Sequence, residues 1–170
     1  MKNTNTKKIA LTAMMAAVAV VGSTLSFPVF GSKCAPVQHL VNVLCAVFLG
    51  PWYGLAAAFI ASLIRNLLGL GTLLAFPGSM CGAFLSGYLY RKLQALPAAY
   101  FGEVFGTSVI GGMLAFPIAK LVMGNAGAAL FTFVVPFLIS TAGGTLIAIV
   151  IVTAMRQTNV LGQLKTQIES

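Results

Sequence analysis

Between Lys120 and Arg156 no residue carries a charge, and most of that stretch is Leu, Ile, Val, Phe or Ala. About 20 apolar residues are enough to cross the hydrocarbon core of a bilayer as a helix. A run of this length therefore commits the chain to lipid, where every backbone polar group must be satisfied internally. Other apolar runs fill the rest of the sequence, separated by prolines, glycines and short polar stretches. Of the 170 residues 59% are hydrophobic and 7% charged, too little charge to coat a soluble domain.

The breakers divide the chain into helices at about 8–25, 36–50, 52–69, 77–92, 97–123 and 127–155. These predict an all-α integral membrane protein of six transmembrane helices, forming one domain over residues 1–170. The opening KKIALTAMMAAVAVVGS is read as the first helix and not as a cleaved signal, because its apolar run is long and no A-x-A site leads into a soluble domain. The last helix contains Pro136 and Gly143–Gly144, and a kink is expected there. With N- and C-termini cytoplasmic, Lys2, Lys7, Lys8, Arg91, Lys92, Arg156 and Lys165 lie inside, and Lys33, Arg65 and Lys120 lie toward the outside. That asymmetry favours this orientation over its inverse. The net charge of +8 is thus topological, and no nucleic acid is expected as a partner. Cys34, Cys45 and Cys81 show no C-x-x-C spacing and read as free buried thiols.

Polar groups converge on the outer third of this bundle. His39 and Asn42 share a face of the second helix; Ser62, Arg65 and Asn66 share a face of the third. Ser79 opens the fourth helix on that side, Lys120 closes the fifth, and Asn125 follows in the next loop. Such groups normally face the protein interior or a wet cavity. Arg65 has two readings, inward toward a pocket or snorkelling to outer headgroups while Asn66 caps its helix. Glu103, with Thr107 one turn further on, lies nearer the inner end of the fifth helix and must find a partner or take up a proton. A ligand-facing role and a structural hydrogen bond both remain open, with Arg65 a candidate partner. His39 is the only histidine and has no carboxylate within a turn, so a hydrogen bond at a pocket rim is expected of it and no metal site. Ala10, Ala13 and Ala17 form a small-residue stripe on the first helix, able to admit a partner helix or a neighbour in this chain. Trp52 and Tyr53, between the second and third helices, read as interfacial anchors on the cytoplasmic side or as contacts to a coupling subunit.

Residues 35–91, with PVQH, GPWYG and RNLLGLGTLLAFPGS, and GEVFGT further on, resemble the substrate-binding S component of energy-coupling factor (ECF) transporters. Within that group the chain is similar to the S component for thiamine-precursor uptake, thought to carry hydroxyethylthiazole. The pair Ala13 and Ala17 is similar to the A-x-x-x-A pattern with which S components dock on the shared transmembrane T component. The resemblance implies an outward-opening pocket closed by the loop between the first two helices and by loops further on. It also implies a T subunit and two cytoplasmic ATPases as partners, in the plasma membrane of a prokaryote. No G-x-x-x-x-G-K-[ST] occurs, so no cofactor is expected in this chain and ATP is used by its partners.

A small flat ligand wants aromatic or apolar walls and a few fixed polar groups. Phe27, Phe30 and Phe76 are candidate walls or lids. Gln38, His39, Asn42, Asn66, Ser79 and Asn125 are candidate donors and acceptors, with Arg65, Glu103 and Thr107 in the same expected site. Arg65 facing inward would suit a carbonyl, carboxylate or phosphate; otherwise it is expected to tie loop carbonyls together beneath the pocket. The competing classes are a carrier or channel subunit working without ECF partners, and an intramembrane enzyme. A channel needs a polar stripe through the full depth. An enzyme needs paired aspartates, Ser/His or H-E-x-x-H, and the chain has no aspartate.

Overall fold

The computed structural model describes residues 2–29 and 32–169. Helix α1 spans Lys2–Gly22 and ends in a 3-10 turn, Ser23–Leu25. A hairpin follows, β1 (Phe27–Val29) antiparallel to β2 (Ser32–Cys34), with Phe27 opposite Cys34 and Pro28 opposite Lys33. Then come α2 (Pro36–Phe48), α3 (Pro51–Leu67) and α4 (Ala75–Leu93). Helix α5 runs Leu96–Val122, α6 Val134–Gln157 and α7 Val160–Glu169. Three helical segments, Thr4–Leu25, Leu96–Val122 and Val134–Gln157, are long and apolar enough to cross a membrane.

Polarity is inverted relative to a water-soluble protein. Leu67, Leu121 and Val150 are more than two-thirds exposed, whereas Asn42, Ser62, Glu103, Thr107 and Thr141 are almost completely buried. Apolar groups facing out and polar groups facing in is the arrangement that lipid selects.

Helix α2 organises the bundle. It is short, about 20 Å at 1.5 Å per residue, and packs on α1, α3, α4, α5 and α6. A helix surrounded in this way buries residues on every side, and Val41, Asn42, Val43, Cys45, Ala46 and Val47 are all buried. Small side chains allow the crowding. Ala16 and Ala19 of α1 meet Val41 and Cys45 of α2 and Ala57 and Ala61 of α3 in one cluster. At Gly144 of α6 an added Cβ would lie 2.6 Å from the His39 Cβ, so α2 and α6 touch only because that position has no side chain.

Several boundaries differ from expectation. Helix α6 begins at Val134, because Gly124 (φ +67°) closes α5 and the following residues form turns, in which the Ala129 N–H donates to Thr132 Oγ1 at 2.8 Å. Pro136 therefore falls in the first turn of α6, where its missing N–H removes no helical hydrogen bond. The hairpin and α7 lie where loop and tail were expected. Helix α5 is α-helical at its start and then carries two π-helical stretches, Gly106–Gly111 and Ile118–Val122. Such wider turns often occur at functional positions, and Thr107 sits in the first.

Candidate functional site

Glu103 is the centre of a buried hydrogen-bond network. Its Oε1 lies 2.8 Å from His39 Nδ1, accepts from Asn42 Nδ2 at 3.0 Å, and accepts from Thr107 Oγ1 at 3.1 Å. A carboxylate only accepts, so the His39 tautomer assigned from the network carries its proton on Nδ1. In the neutral ring, Nε2 then accepts from Ser140 Oγ, 3.0 Å away. The Ser140 oxygen also accepts from the Ala35 N–H at 2.9 Å, anchoring the start of α2 to α6. Asn42 Nδ2 donates to the Ser79 carbonyl at 3.2 Å as well, so α2, α4, α5 and α6 are tied through one carboxylate and its neighbours.

Gly82 makes room for this cluster. A Cβ there would lie 2.8 Å from Glu103 Oε2 and closer still to Thr107 Oγ1. That second carboxylate oxygen has no hydrogen-bond partner among the described residues.

Arg65 is buried, which excludes a side chain snorkelling to headgroups. Its Nη1 donates to Gln38 Oε1 at 3.2 Å, and Gln38 Nε2 donates to Asn42 Oδ1 at 3.1 Å. Arg65, one candidate partner for Glu103, is linked to it through Gln38 and Asn42. Arg65 Nε has no partner among the described residues. Among the described residues the guanidinium ties no loop carbonyls, the role expected of it. Lys33 of the hairpin takes that role, its Nζ donating to the Leu70 carbonyl at 3.1 Å and the Gly69 carbonyl at 3.4 Å.

These groups surround a cavity of about 40 Å³, room for only a few waters. Gln38 and His39 of α2, Arg65 of α3, Ser79 of α4, Thr107 of α5, and Phe137 and Ser140 of α6 line it, with Lys33 from the hairpin. Five helices thus supply one wall each. The wall is polar except for Phe137 and the small residues Ala35, Ala75 and Gly78. Ser79 is held in place by Ser62, 2.9 Å between hydroxyls, and donates to the Ala75 carbonyl at 2.7 Å.

Of the residues expected at the site, Gln38, His39, Arg65, Ser79 and Thr107 line the cavity, with Asn42 and Glu103 directly behind them. Three lie elsewhere. Asn66 is bonded to the Ser62 and Thr72 carbonyls and fixes the turn after α3. Phe76 packs on Phe59, ring centroids 5.7 Å apart. Asn125 is exposed in the turn after α5. Phe27 is half exposed on the hairpin, and Phe30 lies outside the described residues. Sequence reasoning missed Lys33 as a site residue, along with Phe137 and Ser140. The last two sit in a helix whose apolar run hides its inward face; the one available signal was the polar Ser140–Thr141 pair inside it.

On α1, Ala10, Ala13 and Ala17 are exposed, while Ala16 and Ala19 face this chain's own core. The expected stripe therefore has no partner within the described residues. Trp52 is also exposed, beside the half-buried Tyr53.

Helices with an apolar exterior, three of them long and apolar enough to cross a membrane, close on a pocket lined largely by polar side chains, the make-up of a membrane protein with an internal polar site. The match to known families is specific: residues 9–158 fit the family described as thiamine-precursor transporter protein (ThiW). The chain belongs to that family, which is one of transporters and not of enzymes. Neither a curated protein nor a solved structure matches the chain.

Proposed function

We propose that this chain is the substrate-binding S component of an ECF-type importer and captures hydroxyethylthiazole from outside the cell. In this reading the protein crosses the plasma membrane of a prokaryote six times, with both termini cytoplasmic. Its cavity opens outward beneath the β1–β2 hairpin. A T component docks against the Ala10, Ala13 and Ala17 stripe, and two cytoplasmic ATPases supply the energy. The chain itself needs no cofactor.

The observation that carries this reading is the cavity where five helices meet, roofed by a hairpin that Lys33 fastens to the α3–α4 turn. Phe137 offers a face to a flat ring. Gln38, Ser79, Thr107 and Ser140 offer neutral hydrogen-bonding groups for a ring nitrogen and a hydroxyl. Asn42 and Glu103 hold those groups from behind, so their role is to position the lining. At about 40 Å³ the cavity is smaller than the 300 Å³ or more typical of occupied ligand sites. Ligand entry requires the hairpin and lining side chains to move apart.

One feature favours a second ligand class. The unpartnered Arg65 Nε suits a carbonyl or an anionic group, as on a phosphorylated thiazole or another small vitamin. Thermal-shift measurements on purified protein separate the readings. The panel is hydroxyethylthiazole, its phosphate, thiamine and the pyrimidine precursor. A shift with hydroxyethylthiazole alone supports the first reading, and one with the phosphate alone supports the second. No shift with any of the four rejects the transport ligand proposed here.

A further inference from the structure

At the opposite end of the bundle from the polar cavity lies a second cleft, of about 310 Å³. Lys8 of α1, Arg91 at the end of α4 and Lys165 of α7 all line it. Among the described side chains, which do not include that of Glu169, no carboxylate lies within salt-bridge distance of any of the three. Glu103, one of the chain's two acids, is committed to the network around His39. Lys165 is held in place, its Nζ donating to Tyr90 Oη at 2.5 Å and sitting 4.7 Å from the centre of that ring. Tyr90 is itself buried, so this ammonium is fixed at the wall of the cleft and is not a loose surface charge.

The same cleft receives the start of α3. Gly50, at φ +84°, turns the chain there and supplies no side-chain cap, and Trp52 and Tyr53 of the first turn also line the cleft. The first amides of a helix lack intrahelical acceptors and carry the positive end of its dipole. Three cations and a helix N-terminus thus meet in one concavity of ligand size. Their common complement is a compact anion with several acceptor oxygens.

We propose that this cleft is a phosphate-binding site, separate from the polar cavity and independent of which ligand that cavity carries. The phosphate has two possible sources, the headgroup of an anionic lipid at the membrane surface or a soluble phosphate compound. The exposed Trp52 beside the half-buried Tyr53 is the kind of aromatic pair found at the membrane surface. Basic clefts between helices at that depth accept lipid phosphates.

The test uses full-length purified protein, delipidated in detergent, and the Lys8→Gln/Arg91→Gln double variant. Among the described residues neither side chain makes a hydrogen bond or an ion pair; only their backbones do. Native mass spectrometry with phosphatidylglycerol, cardiolipin and phosphatidylcholine forms one arm, and thermal shift with inorganic phosphate and pyrophosphate forms the other. Retention of the anionic lipids over phosphatidylcholine, weakened roughly tenfold or more in the double variant, establishes the site with lipid as its source. A saturable shift with pyrophosphate, lost in the double variant and without lipid preference, establishes it with a soluble source. Equal binding of anionic and zwitterionic lipids together with no phosphate-induced shift overturns the proposal, as does binding unchanged in the double variant. A Lys165→Gln variant checks the contribution of the fixed ammonium and is expected to weaken binding in the same direction. Response to hydroxyethylthiazole, measured in parallel on the same variants, is expected to be unchanged, so failure here is distinguishable from failure of the transport reading.

Discussion

His39 and Glu103 are 64 positions apart in sequence, yet Nδ1 of one lies 2.8 Å from Oε1 of the other in a site closed to solvent. The contact joins α2 to α5, and Ser140 extends it to α6. Replacing Glu103 with Ala leaves the His39, Asn42 and Thr107 donors facing an empty space, at an expected cost of about 3 kcal/mol or more, since each buried donor left unpaired costs about 1–3 kcal/mol. Glu103→Gln keeps an acceptor and is expected to cost less, about 1–3 kcal/mol. Thermal unfolding of detergent-purified variants measures the order; a Glu103→Ala protein as stable as the parent contradicts the structural role given to this carboxylate.

Gly82 tests the same cluster without removing any polar atom. Gly82→Ala drives a methyl group against Thr107 and Glu103. Overpacking of this kind typically costs about 1–3 kcal/mol. The variant is expected to lose stability and, because Thr107 lines the cavity, to weaken ligand binding as well. Gly124→Ala serves as the comparison, since an added Cβ there meets nothing within 4 Å and only its positive φ opposes the change.

Arg65 faces the cavity with one unpartnered donor, so its contribution to binding is expected to exceed its contribution to folding. Arg65→Lys removes the planar fork that reaches Gln38 while keeping the charge. Loss of a hydrogen bond to a charged group weakens binding by about 1.5–3 kcal/mol, roughly tenfold to a hundredfold. Isothermal titration with the ligand identified by thermal shift gives the number. Equal affinity in the parent and the Lys variant would mean that the guanidinium makes no ligand contact.

Lys33 fastens the hairpin through two carbonyls of the α3–α4 turn. Lys33→Met removes the fastening and leaves the helical walls of the cavity in place. Ligand release is expected to quicken by about threefold to tenfold, corresponding to about 1 kcal/mol for one net hydrogen bond. Stopped-flow displacement reads the rate directly, and an unchanged rate excludes the hairpin as the step that limits release.

Ala13 is exposed on α1. Ala13→Leu is expected to change stability by no more than about 0.5 kcal/mol and to leave the ligand-induced thermal shift intact, while blocking close approach of a second helix. Co-purification with a T component is the readout, and undiminished recovery of the complex places the docking face elsewhere.

Much of this was legible in the sequence, for local reasons. Helices α2 to α5 were bounded by Pro36, Pro51 and the breakers around Gly69 and Pro97, each acting within a turn of where it stands. The gathering of Gln38, His39, Asn42, Arg65 and Ser79 followed from periodicity on neighbouring helices. What escaped was non-local. The partner of His39 lay on another helix, outside any window that spacing can search. Ser140 and Phe137 were masked because the few hydroxyls on the inward face of α6, Ser140, Thr141 and Thr145, are diluted in an otherwise apolar run. The hairpin is only three residues per strand, too short for alternation to declare itself. Helix α7 carries no long apolar run, so a search guided by hydropathy passes over it.

The size of the polar cavity has a kinetic meaning. A chamber with space for a few water molecules cannot be entered by a ring compound at the rate of molecular collision; the guest must wait for its host to breathe. Uptake should therefore begin with a slow, strongly temperature-dependent capture whose rate levels off as ligand concentration rises, even where the final complex is tight.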